Sequence, residues 1–188
     1  MLILAGVAVN ALAWAGTGLL SYLSSDAQLR SITFWSMGAL GGATWIKVLM
    51  LAPFALFSFV IAGLLAHGLD AVALGEAEAF HLGINVERLK RLAIVAVAAG
   101  AGGSVAVSGT IGFVGLVIPH LLRLMIGPSH KKLLIGSALL GAAILVTADV
   151  IARTLVTPAE LPIGVVTAFL GAPFFLWLLR RYRASLGG

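Results

Sequence analysis

Residues 92–122 read LAIVAVAAGAGGSVAVSGTIGFVGLVIPHLL, a run of 31 residues without a single charge. As one helix it would reach about 46 Å at 1.5 Å rise per residue, well beyond a hydrocarbon core of about 30 Å. Glycine and serine punctuate its middle, at Gly100, Gly102, Gly103, Ser108, Gly109 and Gly112, and Pro119 follows. The run therefore reads as two spans, 90–107 and about 111–127. A tight turn near Ser108-Gly109 joins them, and Pro119 is expected to bend the second.

Counting outward from this pair gives the rest of the topology. The other long uncharged runs are 1–25, 48–69, 133–148 and 161–179, each fitting one helix. The run 31–46 is short and interrupted by Gly38, Gly41 and Gly42, so it is not counted. With six spans, one side receives nine basic residues: Arg88, Lys90, Arg91, Arg123, Lys131, Lys132, Arg180, Arg181 and Arg183. The other receives three, namely Arg30, Lys47 and Arg153. Basic residues favour the cytoplasmic side, so both termini are expected there. Five spans would give eight against four and put Arg88, Lys90 and Arg91 opposite the basic tail.

Composition agrees with this class. Of 188 residues, 61% are hydrophobic and 10% charged, against about 25% charged in a soluble domain. The net charge of +5 is read as lipid-flanking charge rather than a nucleic-acid surface. There is no cysteine, which excludes disulfides, thiolate zinc sites and thiol nucleophiles. Ala11-Leu12-Ala13 resembles a signal-cleavage site, but no basic segment precedes it. The expectation is an all-α integral membrane protein, a polytopic helical bundle forming one transmembrane domain over residues 1–188.

The connections carry their own signals. Residues 26–44 read as an outward-facing amphipathic segment with Ile32, Phe34, Trp35 and Met37. Residues 70–89 face the cytoplasm. There Asp70–Leu82 has helical character, Gly83 fits a helix stop, and Asn85 fits the cap of a second short helix through Leu89. Small residues at Gly75, Ala77 and Ala79 leave part of the first helix open to close approach. A solvated surface helix and a docking element for a cytoplasmic partner are both open readings.

Catalytic chemistry finds little support. No G-x-x-x-x-G-K-[ST] occurs, so no phosphate-binding loop is present. Gly109, Gly112 and Gly115 lack a strand–turn–helix context and are expected to serve close helix packing. His67, His81, His120 and His130 show no H-E-x-x-H pairing. The first, second and fourth sit at or beyond span ends and suit the interface; His120 suits a structural hydrogen bond at the Pro119 bend. An integral-membrane enzyme would need clustered carboxylates or histidines at one depth, and no cluster is visible.

Charges at the membrane edge are more informative. Asp149 and Arg153 stand i, i+4 with the acid first, the favourable order for a helical ion pair. Either the pair closes the helix end or Arg153 projects to an acidic partner. Lys47 reads as an interfacial anchor. In the first span Asn10 and Thr17 share a face, with Trp14 between them, and are candidates for interhelical bonding or for lining a pathway.

Four stretches together resemble the FecCD-type permease family of ABC importers, which carry haem, iron–siderophores and vitamin B12. They are Leu4–Asn10 with Phe34–Gly38; Leu74–Gly83; Gly109–Arg123; and Ala148-Asp149, Ala152-Arg153, Pro158–Gly164 and Gly171–Pro173. The match covers nearly the whole chain and corresponds to the C-terminal six-span part of a permease with about ten spans.

The resemblance implies a multi-pass protein of the bacterial inner membrane, with two permease copies forming a central path. It implies that residues 70–91 are a cytoplasmic coupling loop for a separate ABC ATPase, with Leu74, Gly75, Glu76, Ala77, Ala79, Leu82, Gly83 and Arg88 as contacts. It further implies that Arg153 meets a periplasmic or surface binding protein, and that Asn10, Trp14 and Thr17 lie along the path. ATP would be hydrolysed on the partner, and no cofactor or metal is expected on this chain. Ala152–Val156 and Pro158–Pro162 look most like haem permeases. Siderophore or vitamin B12 transport is the alternative, as is a non-transporting membrane scaffold.

Overall fold

The computed structural model describes residues 2–155 and 161–186. In these residues the chain is helical: α1 (Leu2–Tyr22), α2 (Asp26–Ser36), α3 (Trp45–Val72), α4 (Glu76–His81), α5 (Val86–Ser108), α6 (Val114–Ile126), α7 (His130–Leu155) and α8 (Ile163–Leu186). Four helices, α1, α3, α5 and α7, are long and apolar enough to cross a membrane; Val114–Ile126 and Ile163–Leu176 are shorter apolar helices. The protein is thus a multi-pass membrane protein, with six an approximate count of its spans. The uncharged run at 92–122 does divide at Ser108-Gly109. Its second helix, at 13 residues, is shorter than the expected 111–127. Residues 109–113 lead into it without regular structure.

The contacts form two units, residues 1–36 and 37–188. In the first, Thr17 Oγ1 donates to the Ala13 carbonyl at 3.0 Å, so its hydroxyl is satisfied inside α1. The expected amphipathic segment forms α2 over Asp26–Ser36 only.

In the second unit α3 and α5 pack closely through small residues. A methyl group at Gly68 would stand 2.2 Å from Leu89 Cδ1, and one at Gly103 would stand 3.0 Å from Phe54 Cβ. Hydrocarbon gives helices no hydrophobic reason to associate, so close backbone approach has to supply dispersion contact instead. The expectation that Gly112 and Gly115 do this is not met: both face open space. Gly109 terminates α5 at φ +73 instead.

At one end of the unit a short segment is stitched between two helix ends. Ala39 N donates to the Ser108 carbonyl at 2.9 Å. Ile163 N donates to Gly38 O at 3.0 Å and Gly164 N to Met37 O at 3.1 Å. A side chain at Gly164 would strike Met37 O at 2.1 Å, so only glycine allows this approach. Beneath it lies a core of Ala148, Ala152, Ile163 and Val166, with Leu40, Ile111 and Leu145 packed around. At the other end Asp70 meets His130. These two groupings match the two loop sets that the charge count places on opposite sides.

Candidate functional site

The loop between α3 and α5 is rigidly built from local signals. Glycine stops the expected continuous helix over Asp70–Leu82: α3 ends at Val72, and Gly75 at φ +143 separates it from α4. That backbone is closed to ordinary L-residues. A methyl at Gly75 would also stand 2.0 Å from Glu78 Oε2. At the other end of α4 Gly83 takes φ +77. Ile84 N donates to Ala79 O at 3.0 Å and Gly83 N to Phe80 O at 2.9 Å. This pairing is a Schellman stop, which satisfies carbonyls the helix would leave open. Asn85 Oδ1 then accepts from Arg88 N at 2.9 Å. It caps the 23-residue α5 itself and not a separate short helix.

One charge pair holds α4 to α5: Lys90 Nζ lies 2.5 Å from Glu76 Oε1. Arg91 pairs with Glu87 one turn earlier, within α5 itself. Ala79 is fully buried, whereas Ala77, Gly83 and Arg88 are exposed. A cleft of 550 Å³ opens between Glu76, Phe80, Ile84 and Glu87.

The outward apolar side chains of this loop are its most telling feature. Leu74 is 75% exposed, Phe80 74% and Leu82 66%. Exposed leucines along α3 belong to a helix long and apolar enough to cross a membrane; these three belong to a loop whose neighbours are Glu76, Glu78, Glu87 and Arg88. Large apolar groups among charges mark an interaction surface. Phe80 is absent from the residues singled out in the sequence. Its signal was an aromatic standing alone in a run of small and charged residues.

At the opposite end of the unit Arg153 Nε donates to Asp149 Oδ2 at 2.9 Å, so the i, i+4 pair forms. Arg153 remains 46% exposed, and Asp149 is 21% exposed beside the Ala148–Ala152 core. Lys47 Nζ donates to the Gly42 carbonyl at 2.7 Å. Pro158, Ala159 and Glu160 lie outside the described residues. In α1 the i, i+4, i+7 spacing of Asn10, Trp14 and Thr17 puts them on one face, as the sequence implied. Among the described residues no three of His, Asp or Glu gather as metal ligands do.

The sequence profile of the FecCD transport family matches residues 1–181. The chain belongs to the FecCD transport family. Within reach of this FecCD chain, the hemin transport system permease protein HmuU of Yersinia pestis is 49% identical over 187 residues. That alignment covers 100% of this chain and 56% of HmuU. The vitamin B12 import system permease protein BtuC of Vibrio cholerae is 44% identical, over 98% of this chain and 55% of BtuC. A solved structure described as an inward-facing conformation of a metal-chelate type ABC transporter superposes with TM-score 0.89 at 38% identity. It covers 96% of this FecCD chain and 59% of the solved one. The chain spans about half the length of the curated relatives it matches.

Proposed function

We propose that this FecCD chain works as permease in an ABC importer of the bacterial inner membrane, moving haem or a related metal chelate with energy from a separate ATPase. The observation that carries the reading is that a loop locked by Gly75, Gly83 and Asn85 leaves three large apolar side chains, Leu74, Phe80 and Leu82, exposed. A transmitted push needs a docking surface that does not deform, and this loop has both properties. Glu76, Ala77 and Arg88 are exposed on the same loop; buried Ala79 and the two glycines set its shape.

Arg153 then receives the carboxylate of a substrate-binding protein at the outer face, with Asp149 holding the guanidinium in place until docking. Asn10, Trp14 and Thr17 line the path, and a second permease copy completes it. Haem is favoured over vitamin B12 by the higher identity to the hemin permease.

The test is reconstitution in proteoliposomes with an ABC ATPase and a substrate-binding protein of a FecCD-type importer, following ATP-driven uptake of haemin and cyanocobalamin. Haemin uptake that needs ATP supports the reading. An ATPase that never co-purifies with the chain sinks it. Assembly without uptake of either probe favours a membrane scaffold.

A further inference from the structure

We propose that Asp70 is a positioning residue for transport: its bond to His130 ties the coupling loop to α7 and carries the loop's displacement to the outer face. The inference rests on the reading of the 74–91 loop as the ATPase-docking element and adds the route by which that docking is felt on the far side.

Three observations join into one mechanical path. First, Asp70 lies in the last turn of α3, with only residues 73–75 between that helix and α4. Its Oδ1 accepts from the His130 backbone N–H at 2.8 Å and lies 2.6 Å from His130 Nδ1. His130 opens α7, and Leu133 N already donates to the Ser129 carbonyl. The His130 N–H is therefore one of the amides that a helix start leaves without an internal partner. A carboxylate there satisfies that amide and meets the positive end of the α7 dipole. Sixty residues separate the two in sequence, so the bond is a fixed point between two elements and not a local turn.

Second, α7 runs unbroken through 26 residues, His130 to Leu155, about 39 Å at 1.5 Å per residue. It contains no proline. A helix without a break moves as one body, so displacement at His130 reappears at its far end.

Third, the far end is anchored in the outer knot. Ala148 and Ala152 pack with Ile163 and Val166, directly under the stitched 37–39 and 163–164 backbones. Arg153 stands in the last turn of the same helix. Between the tie and the docking patch lies a 640 Å³ cavity lined by His67, Asp70, Leu74, Leu82, Ser129 and Lys132. Leu74 and Leu82 thus border the same space as the α7 start.

The test uses the chain assembled with its ATPase in lipid nanodiscs. The sequence has no cysteine, so Thr154→Cys places one environment-sensitive fluorophore at the outward end of α7. Adding ATP should change its emission in the otherwise native chain. Asp70→Ala should reduce that change about fivefold or more, while co-purification of the ATPase is unaffected. Asp70→Asn keeps an oxygen for the His130 N–H and should retain most of the response. A full response in Asp70→Ala overturns the tie and leaves ATPase docking standing. An ATPase that fails to bind the native chain overturns the docking reading and the tie with it. If Asp70→Ala does not fold, Ala73→Cys with Ser129→Cys provides the second measurement with Asp70 intact. Cross-linking these positions should preserve the response, because the tie already joins the two ends; loss of the response on cross-linking overturns the proposal.

Discussion

A methyl group at Gly100 would stand 2.8 Å from Ser58 Cβ and 2.5 Å from its hydroxyl oxygen. At that point α5 and α3 touch through backbone and a single small side chain. Gly102, two residues on, faces open space. The two glycines therefore respond oppositely to the same substitution. Gly100→Ala should lower stability by about 1–3 kcal/mol, the usual cost of overpacking. Gly102→Ala should leave stability unchanged or raise it by up to about 1 kcal/mol, through helix propensity. Thermal unfolding in detergent, monitored by tryptophan emission, separates them.

The glycines of the loop differ in what they resist. Gly83 has no atom within 4 Å of an added methyl, so Gly83→Ala meets only the left-handed backbone, about 1–2 kcal/mol. Gly75→Ala meets its φ of +143, a backbone closed to L-residues, while the exposed Glu78 carboxylate beside it can swing aside. Limited proteolysis of the membrane-embedded chain should find the loop opened by Gly75→Ala and barely altered by Gly83→Asn. Equal cleavage of both would show that α4 tolerates a side chain at Gly75.

Asn85 Oδ1 satisfies one of the free amides at the start of α5, that of Arg88. Asn85→Ala should cost about 1 kcal/mol, the ordinary value for a lost cap, whereas Asn85→Asp should be neutral. In the assembled complex the Ala variant should also loosen ATPase co-purification, since α4 leans on the α5 start through Glu76 and Lys90.

Arg153 and Asp149 form a partly exposed helical pair, and an i, i+4 pair of this kind is worth about 0.3–0.5 kcal/mol. Arg153→Glu should therefore leave expression and ATPase assembly unchanged. If Arg153 meets a carboxylate desolvated on docking, about 2–5 kcal/mol is lost. Binding-protein affinity then falls about 30-fold or more. Surface plasmon resonance on nanodiscs measures this. A variant that binds normally but expresses poorly would assign Arg153 to the local pair alone.

Sidedness follows from the charge count. A single cysteine at Ser129 should react with membrane-impermeant maleimide only from the cytoplasmic side, and one at Thr44 only from outside. Ser129 borders Asp70 and adjoins His130; Thr44 caps α3 at the other end, accepting from Lys47 N at 3.3 Å. Labelling of Ser129→Cys from outside would overturn the orientation.

Features decided within a few residues were legible in the sequence by itself. The helical class follows because an uncharged run of membrane length must satisfy its own backbone. The break at Ser108-Gly109, the Gly83 stop, the Asn85 cap and the Asp149–Arg153 pair are all relations between residues at most five apart. Tertiary structure alone decided the rest. Asp70 and His130 are sixty apart, and each reads as one more polar residue at a span end. Gly164 and Gly115 look alike as letters, yet one touches a backbone carbonyl and the other nothing. The difference lies in which helix arrives opposite, and hydropathy and spacing carry no record of that. Likewise Phe80 became a docking candidate only once its ring was found outside the packed helices, because burial is a property of the neighbours a residue acquires and not of the residue.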